Sequence, residues 1–444
     1  MSEEKPLLAL VMIVKNEARS IKETIASVKG FVDRWLVLDT GSTDGTQDLV
    51  REAFGELPGR VVEEDFVDFG TTRNRALELL GTEATFSLML SGDETVVGGE
   101  ALRAFCKENE TRGGNAHGAY YLRVEFGTSV YDSARLARTD AGWRYAGVTH
   151  EVLTKEKAPP PTIRVPNAHV VHDVSHRAAG SQTKRWELDL RLLTEEAKKK
   201  PNDARTAFYL AQTLECLGEY KRAFGSYERR IKMGGWQEEV FESMYRLGRT
   251  MSLGQRPWPE VQQRYLDAYA HSPHRAEPLY AIAMHYYEKK SWGLTYLFAK
   301  RGSELPFPEK ASLFVDRDVY RYKLLDLVGT AAYYVQEFDA GEAALDKAIA
   351  ALGEGETALR ERFTKNRAFY EDRKKKSAPP AVSSLRRPNA RAVRTRRRHR
   401  LRRCSGGAGR RLRRPSRRGR PSRAGRTGGG TDRRRRRFGC RGRC

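Results

Sequence analysis

The sequence predicts an α/β domain followed by an all-α repeat array and a disordered basic tail. Three observations predict it. Apolar strand-like runs alternate with helical patterns up to about residue 178. Small residues then recur at a period of about 35 to about residue 371. From there on, arginine, glycine, proline and serine replace the apolar residues. The expected divisions are therefore 1–178, 179–371 and 372–444.

Charge separates the tail from the body. The 444 residues carry 81 Lys+Arg and 57 Asp+Glu, a formal charge of +24. Residues 377–444 hold 26 Arg, no Lys and a single acid, Asp432, so they account for +25. The other 376 residues are balanced, with 55 basic and 56 acidic side chains. Of 42 aromatics only Phe438 lies in the tail, so the body can bury a core and the tail cannot. The arginine runs can contact phosphates, but without aromatic stacking partners selective RNA binding is unsupported. An Arg/Gly/Pro/Ser composition without Lys also fits a GC-rich gene read in a shifted frame. A nucleic-acid function is thus not expected.

No run approaches the roughly 18 apolar residues of a membrane span. The start, Met-Ser-Glu-Glu, lacks the positive region of a signal peptide. A soluble, cytoplasmic chain is the expectation. Cys106 and Cys216, one in each folded half, argue against a disulfide framework or a thiolate metal site.

In the first half, Leu7 to Val14 reads as a buried parallel strand. Ser20 with Glu23 has the spacing of a capping box, followed by Ile21, Ile25 and Val28 on one helical face. Trp35 to Leu38 is a second strand ending at Asp39. Val61-Val62 marks a third, Thr72 to Leu80 a helix, and Phe86 to Leu90 a strand ending in Ser91-Gly92-Asp93-Glu94. Such alternation predicts a parallel sheet with helices on both faces, with ligands beyond the carboxyl ends of its strands. Three polar clusters fall there: Lys15-Asn16-Glu17, Asp39 to Asp44, and Ser91 to Glu94. Asp93 can ligate a hard cation, or belong to an ordinary acidic turn. Asp39 can accept a hydrogen bond from a base or ribose, or cap the next helix.

Four blocks in order narrow these alternatives. They are Val11–Glu17 (VMIVKNE), Val37–Thr46 (VLDTGSTDGT), Asp68–Leu77 (DFGTTRNRAL) and Leu90–Glu94 (LSGDE). Together they resemble family 2 glycosyltransferases with the GT-A fold. The resemblance implies that Asn16, Glu17, Asp39 and Arg73 line the nucleotide end of a nucleotide-sugar donor, a UDP-sugar by expectation. Asp93 would be the second acid of the DxD motif and would hold Mn2+ or Mg2+. The chain departs from the family in carrying Ser91 where the first Asp is expected. A hydroxyl can still bond ribose or a metal-bound water, without the negative charge.

Further on, Gly147-Val-Thr-His-Glu151 resembles the acceptor-side motif of the same enzymes. It makes His150 a third metal contact and Glu151 the base of an inverting displacement. Asp132 and Asp140 rival Glu151, which can also be a surface acid or a partner of Arg144. His169, His172 and His176 with Asp173 allow a zinc site, or a stretch that closes the transferase domain, with His172 in reach of the donor phosphates.

Four copies of a helical repeat follow the spacing of a tetratricopeptide repeat. They run through Leu210-Ala211/Gly218/Tyr220/Ala223/Tyr227, Leu247-Gly248/Tyr265/Ala268/Pro273, Ile282-Ala283/Trp292 and Val328-Gly329/Phe338/Gly341/Leu345/Ala348. Small residues belong where paired helices approach closely, and single units cannot bury their faces alone. With Trp186, Pro201 to Gln212 and Gly234 to Glu239, residues 7 to 370 resemble bacterial family 2 glycosyltransferases that end in such repeats. That resemblance implies a glycan, lipid or peptide acceptor, and repeats that brace the catalytic domain or receive a protein partner or a second copy. Its rival is a transferase fold silenced through Ser91, with the repeats as the working part.

Overall fold

The computed structural model describes residues 5–111, 118–175 and 180–377. The expected boundary at 178/179, His176 and the arginine tail beyond Ser377 lie outside them. In chain order the first half comprises β1 (Leu8–Val14), α1 (Ile21–Val28), β2 (Arg34–Asp39), α2 (Thr46–Phe54), β3 (Gly59–Glu63), α3 (Phe69–Leu80), β4 (Phe86–Ser91), β5 (Glu94–Val97), α4 (Gly99–Asn109), β6 (Ala119–Phe126), β7 (Ser129–Arg138), β8 (Arg144–Ala146), β9 (Val152–Thr154) and β10 (Arg164–His172).

The main sheet runs β3-β2-β1-β4-β7-β6-β10-β5. Its first four strands are parallel, as the alternation predicts. The rest departs from an all-parallel sheet: β7 is antiparallel to both β4 and β6, and β5 to β10. Successive side chains of a strand point to opposite faces. Leu8, Leu10 and Met12 accordingly join Ile21, Ile25, Val37 and Phe54 in one core layer. Ala9 and Val11 join Leu36, Ala76, Leu80 and Trp143 in the other. This two-sided burial explains the uninterrupted apolar run of β1.

The capping box expected at Ser20 does not form. Ser20 makes no cap bond to α1; its hydroxyl donates to the Glu17 carboxylate at 3.1 Å. Helix α3 begins earlier than expected because Asp68 accepts from the Thr71 amide and so caps it.

The second half comprises α5 (Ser181–Lys199), α6 (Ala204–Cys216), α7 (Tyr220–Met233), α8 (Gln237–Leu253), α9 (Trp258–His271), α10 (Glu277–Glu288), α11 (Trp292–Ser303), β11 (Val315–Asp316), a π-helical turn at Val319–Lys323, α12 (Leu324–Tyr334), α13 (Phe338–Ala350) and α14 (Thr357–Ser377). These helices pack mainly on their chain neighbours and resemble tetratricopeptide repeats. The small residues sit at the close approaches. A Cβ at Gly248 would lie 2.9 Å from the Tyr265 ring, and one at Gly329 would lie 2.5 Å from Leu345. Among the described residues no helix is long and apolar enough to cross a membrane.

The helical half is bound into the sheet, which the sequence reading did not foresee. Strand β11 pairs antiparallel with β7 as a ninth strand. Around it, the Asp132 amide donates to Ser312 O at 2.8 Å, and Arg317 pairs with Glu125 at 2.7 Å. Phe314 packs edge-on against Tyr131. Cys106 is a free buried thiol whose pKa burial raises to about 12. Cys216 is disulfide-bonded, although the placing of the cysteines in the sequence argues against a disulfide framework.

Candidate active site

Strand register gathers the polar clusters. Val14 of β1 stands opposite Asp39 of β2, and Ile13 opposite Ser91 of β4, so three strand ends finish level. The loops beyond them are tied together. The Asn16 amide donates to Ser42 Oγ at 2.8 Å, and Asn16 Oδ1 accepts from the Thr43 amide at 2.8 Å. The Glu17 amide donates to Thr46 Oγ1 at 2.9 Å. Asn16 reaches this position with φ of 57°, a region that asparagine tolerates better than most residues.

Asp39 is fully buried at the end of β2, beside these loops. Its Oδ1 accepts from the Gly41 and Ser42 amides at 2.9 and 2.7 Å. Its Oδ2 has no partner among the described residues. Asp39 therefore shapes the turn and keeps one acceptor over. It does not cap α2, whose N-cap is Gly45. An unsatisfied buried carboxylate oxygen is costly unless a ligand supplies its hydrogen.

Arg73 projects from α3 and is 6% exposed. It forms a close ion pair with Glu151 through Nε. That contact lies off the hydrogen-bonding line, so Nε counts as ion-paired rather than hydrogen-bonded. Nη2 donates to Ser91 Oγ at 3.4 Å, while Nη1 is buried with no partner among the described residues. Burial would raise the Glu151 pKa, but Arg73, backbone hydrogen bonding, Arg135 and His150 together hold it below its ordinary 4.5. Glu151 is thus a carboxylate already spoken for by a cation. Arg144, the other partner considered for it, instead reaches Glu78 at 3.8 Å.

Loop 145–151 is held against α3 at several points. Asn74 donates to Tyr145 O at 2.8 Å and accepts from the Tyr145 amide at 2.7 Å. The Phe69 amide donates to Val148 O at 3.0 Å. Gly70 is packed so tightly on the loop that a Cβ there would lie 2.3 Å from Gly147 O.

Asp93 follows β4 and is 6% exposed. Its imidazole neighbour is His172, with Nε2 3.3 Å from Oδ2. The β5–β10 register sets this pair by placing His172 opposite Glu94. Phe126 stacks on the His172 ring at 4.8 Å. His150, expected beside Asp93, stacks on Tyr209 of α6 at 4.0 Å instead, and its carbonyl accepts from Arg205. The His150 ring meets the cavity described below, so it is more than a third exposed, yet protein surrounds it. Desolvation by the protein packed around the ring, Tyr209 included, helped by Arg185 and Arg205 and opposed by Asp189 and Glu151, lowers its pKa to about 4.

Glu94 is bound on both oxygens, by Arg135 at 2.7 Å and by the Ser91 amide at 2.8 Å. Burial opposes the charge on Arg135, but Glu94 leads the interactions that raise its pKa and keep it cationic. The rival bases are also paired. Asp132 lies between Arg123 and Arg164, and Asp140 is bound by Arg138, which lowers its pKa.

A cavity of about 740 Å³ opens beside these groups. Arg73, Ser91, Glu94, Arg135, Glu151 and His172 line it from the first half of the chain; Arg185, Trp186, Asp189, Arg205, Tyr209 and Gln212 line it from the helices of the second. Asn16, Glu17 and Asp39 lie outside its walls, at the ends of β1 and β2, while Arg73 and Ser91 belong to the wall.

Among the described residues no group of three or more His, Cys, Asp or Glu side chains is gathered for a metal ion. A cation at Asp93 would have His172 beside it as a second side-chain ligand, and further oxygens would have to complete its shell. Oxygen-rich ligand completion is ordinary for Mg2+. The residues fit that role only in company with a diphosphate.

Sequence reasoning missed Arg135, the Asn74 clamp and the whole helical wall. The wall did leave a signal. Residues 182, 185, 186 and 189 of α5, and 205, 209, 212 and 213 of α6, follow helical spacing along one face each.

Parts of the chain are similar to known proteins. Residues 9–96 match the family model for Glycosyl transferase family 2. The SPbeta prophage-derived glycosyltransferase SunS of Bacillus subtilis is 21% identical over 239 residues, which cover 51% of this chain and 54% of SunS. A TPR repeat-containing protein of Synechococcus elongatus is 36% identical over 91 residues, 20% of this chain and 21% of that protein. The chain thus spans about half the length of SunS and about a fifth of the repeat protein. A structure of S. aureus TarS 1–349 in complex with UDP-GlcNAc is 16% identical, with a TM-score of 0.29 over 67% of this chain and 90% of that one. This chain carries an N-terminal domain of glycosyl transferase family 2, followed by tetratricopeptide-type repeats.

Proposed function

We propose that the protein is an inverting glycosyltransferase, working in the cytoplasm, that moves a sugar from a UDP-sugar to an acceptor in the 740 Å³ cavity. The observation that carries this reading is Asp39. A fully buried carboxylate, fixed by two backbone amides and left with one unpartnered oxygen, suits the N–H or O–H of a nucleoside. Arg73 lies on the cavity wall beside Ser91, at the end of β4, with Nη1 spare, where a donor diphosphate would be held.

In the reaction the acceptor nucleophile attacks the anomeric carbon, the carbon–oxygen bond to the diphosphate breaks, and the nucleophile gives up its proton. Glu151 is the base in this reading, and its pairing with Arg73 gives it a condition. A phosphate that draws Arg73 away frees the Glu151 carboxylate for the acceptor proton, which couples donor binding to activation of the acceptor. Arg135, held cationic by Glu94, adds positive potential on the cavity wall. Asp93, with His172 beside it, would hold Mn2+ or Mg2+, which when bound neutralises charge developing on the leaving diphosphate. The acceptor, whether glycan, lipid or peptide, enters from the helical side, and the repeats remain open to a protein partner or second copy.

The alternative is an inactive transferase fold serving as a repeat scaffold. It draws on Ser91, which brings a hydroxyl where an acid is expected, and on Glu94 and Glu151, both already ion-paired. UDP release from a panel of UDP-sugars separates the two. Turnover that disappears in Asp93→Ala supports the transferase. A folded protein that turns over no donor supports the scaffold.

A further inference from the structure

The helical wall of the cavity contains a polar group that folding does not use. Gln212 is 4% exposed, lines the cavity, and its Oε1 has no hydrogen-bond partner among the described residues. It sits on the same face of α6 as Tyr209, one turn before it, whose ring is stacked with His150. Trp186 and Asp189 bring α5 to the same wall, and Asp189 is occupied by the Thr149 hydroxyl at 2.9 Å. The sheet wall carries spare groups of the opposite kind, Arg73 Nη1 and Arg135 Nε, both hydrogen-bond donors on cations. The cavity is therefore polarised. Its sheet side asks for an anion or acceptor, and its α6 side asks for a neutral donor. A buried amide oxygen left unbonded costs stability, and an apolar side chain of similar size would avoid that cost.

We infer that Gln212 determines acceptor specificity, its Oε1 accepting a hydrogen bond from an N–H or O–H of the acceptor beside Tyr209. The inference rests on the transferase reading above and adds to it the chemistry by which the first helical pair reads its acceptor. A peptide amide or a glycan hydroxyl supplies the same bond.

The test compares wild type with Gln212→Met, and with Gln212→Leu as a second apolar replacement. Each is given a labelled UDP-sugar that wild type hydrolyses, together with either a tryptic digest of cell protein or a protease-treated glycan fraction. In the fraction that accepts label, the ratio of transfer to hydrolysis falls at least about tenfold in both variants, the worth of one well-placed hydrogen bond. Thermal unfolding without ligand shows their melting temperatures raised by about 1–3 °C, because the unbonded oxygen is gone. An unchanged transfer-to-hydrolysis ratio overturns the inference. So does a lowered melting temperature in both variants, since Gln212 would then be a structural partner. A wild type that hydrolyses no UDP-sugar at all refutes the transferase reading itself, an outcome distinct from either.

Discussion

Two clusters of buried charge can be set side by side. One lies inside the repeats. Glu215 accepts from the Tyr227 hydroxyl at 2.8 Å and from Arg249 at 2.6 Å, and Arg246 bridges it to Glu242. The other lies at the strand ends, with Asp39, Arg73, Glu94, Arg135 and Glu151. Both are desolvated, and both contain shifted carboxylates. Arg249 and Arg246 hold Glu215 below its ordinary value against burial, as Arg73 does for Glu151. They differ in what they face. The repeat cluster lies outside the cavity walls, so the one oxygen it leaves without a partner among the described residues, Glu242 Oε2, does not border that ligand space. The strand-end cluster meets the cavity through Arg73, Glu94, Arg135 and Glu151, and keeps Asp39 Oδ2 and Arg73 Nη1 without partners among the described residues. Buried charge alone therefore marks nothing. Buried charge with atoms left over beside a space that can hold a ligand marks a site.

The largest effect should come from breaking the repeat cluster. Glu215→Ala leaves the buried Arg246 and the part-buried Arg249 without their shared anion, and should cost about 3–5 kcal/mol in urea unfolding. UDP release per folded molecule should match wild type. A loss under about 1 kcal/mol would erase the contrast between the clusters. Next comes the open cluster. Asp39→Asn keeps the shape of the turn but replaces the charged acceptor. It should weaken UDP binding by about 10- to 100-fold in calorimetry, with little change in stability. Equal losses of binding and of fold would make Asp39 a structural residue like Glu215.

The clamp between α3 and loop 145–151 tests whether the open cluster must be held rigid. Gly70→Ala forces a methyl into Gly147 O and should destabilise by about 1–3 kcal/mol. Because Arg73 and Glu151 sit on the two clamped segments, turnover should fall by more than the folded fraction does. A fall in proportion to the folded fraction would separate the clamp from the chemistry.

How far the sequence revealed these clusters follows from the range of the interactions. Asp39 was legible because it ends a continuous apolar run, and Asp93 because it follows the apolar strand Phe86–Leu90 by two residues; a polar residue at either place falls at the edge of the sheet. The parallel half of the sheet was legible for the same local reason. The pairing of His172 with Asp93 was not, since it depends on an antiparallel register between β5 and β10, strands more than 60 residues apart in sequence. Strand β11 has two residues and so no periodicity to read. The repeats declared themselves through small residues such as Gly248 and Gly329, which packing requires. The stripes of α5 and α6 did not, because polar residues on one helical face look like a solvated surface until another domain covers them.

His150 gives the smallest effect and the finest test of that covering. A histidine in water titrates near 6.5; burial beside Tyr209 lowers this one to about 4. Between those values the unfolded chain holds a proton that the folded chain refuses. Stability is therefore full above pH 6.5 and declines as pH falls toward 4. Asp189 and Glu151 face the ring and oppose the shift, and Arg185 and Arg205 reinforce it. His150→Phe keeps a ring against Tyr209 and removes the proton. Urea midpoints at pH 7 and pH 5 should draw closer together in the variant than in wild type. The same spacing in both proteins would mean that His150 titrates as if in water. The helical half would then not desolvate this wall of the cavity, and the closeness of α6 to the sheet-borne site would lose its support.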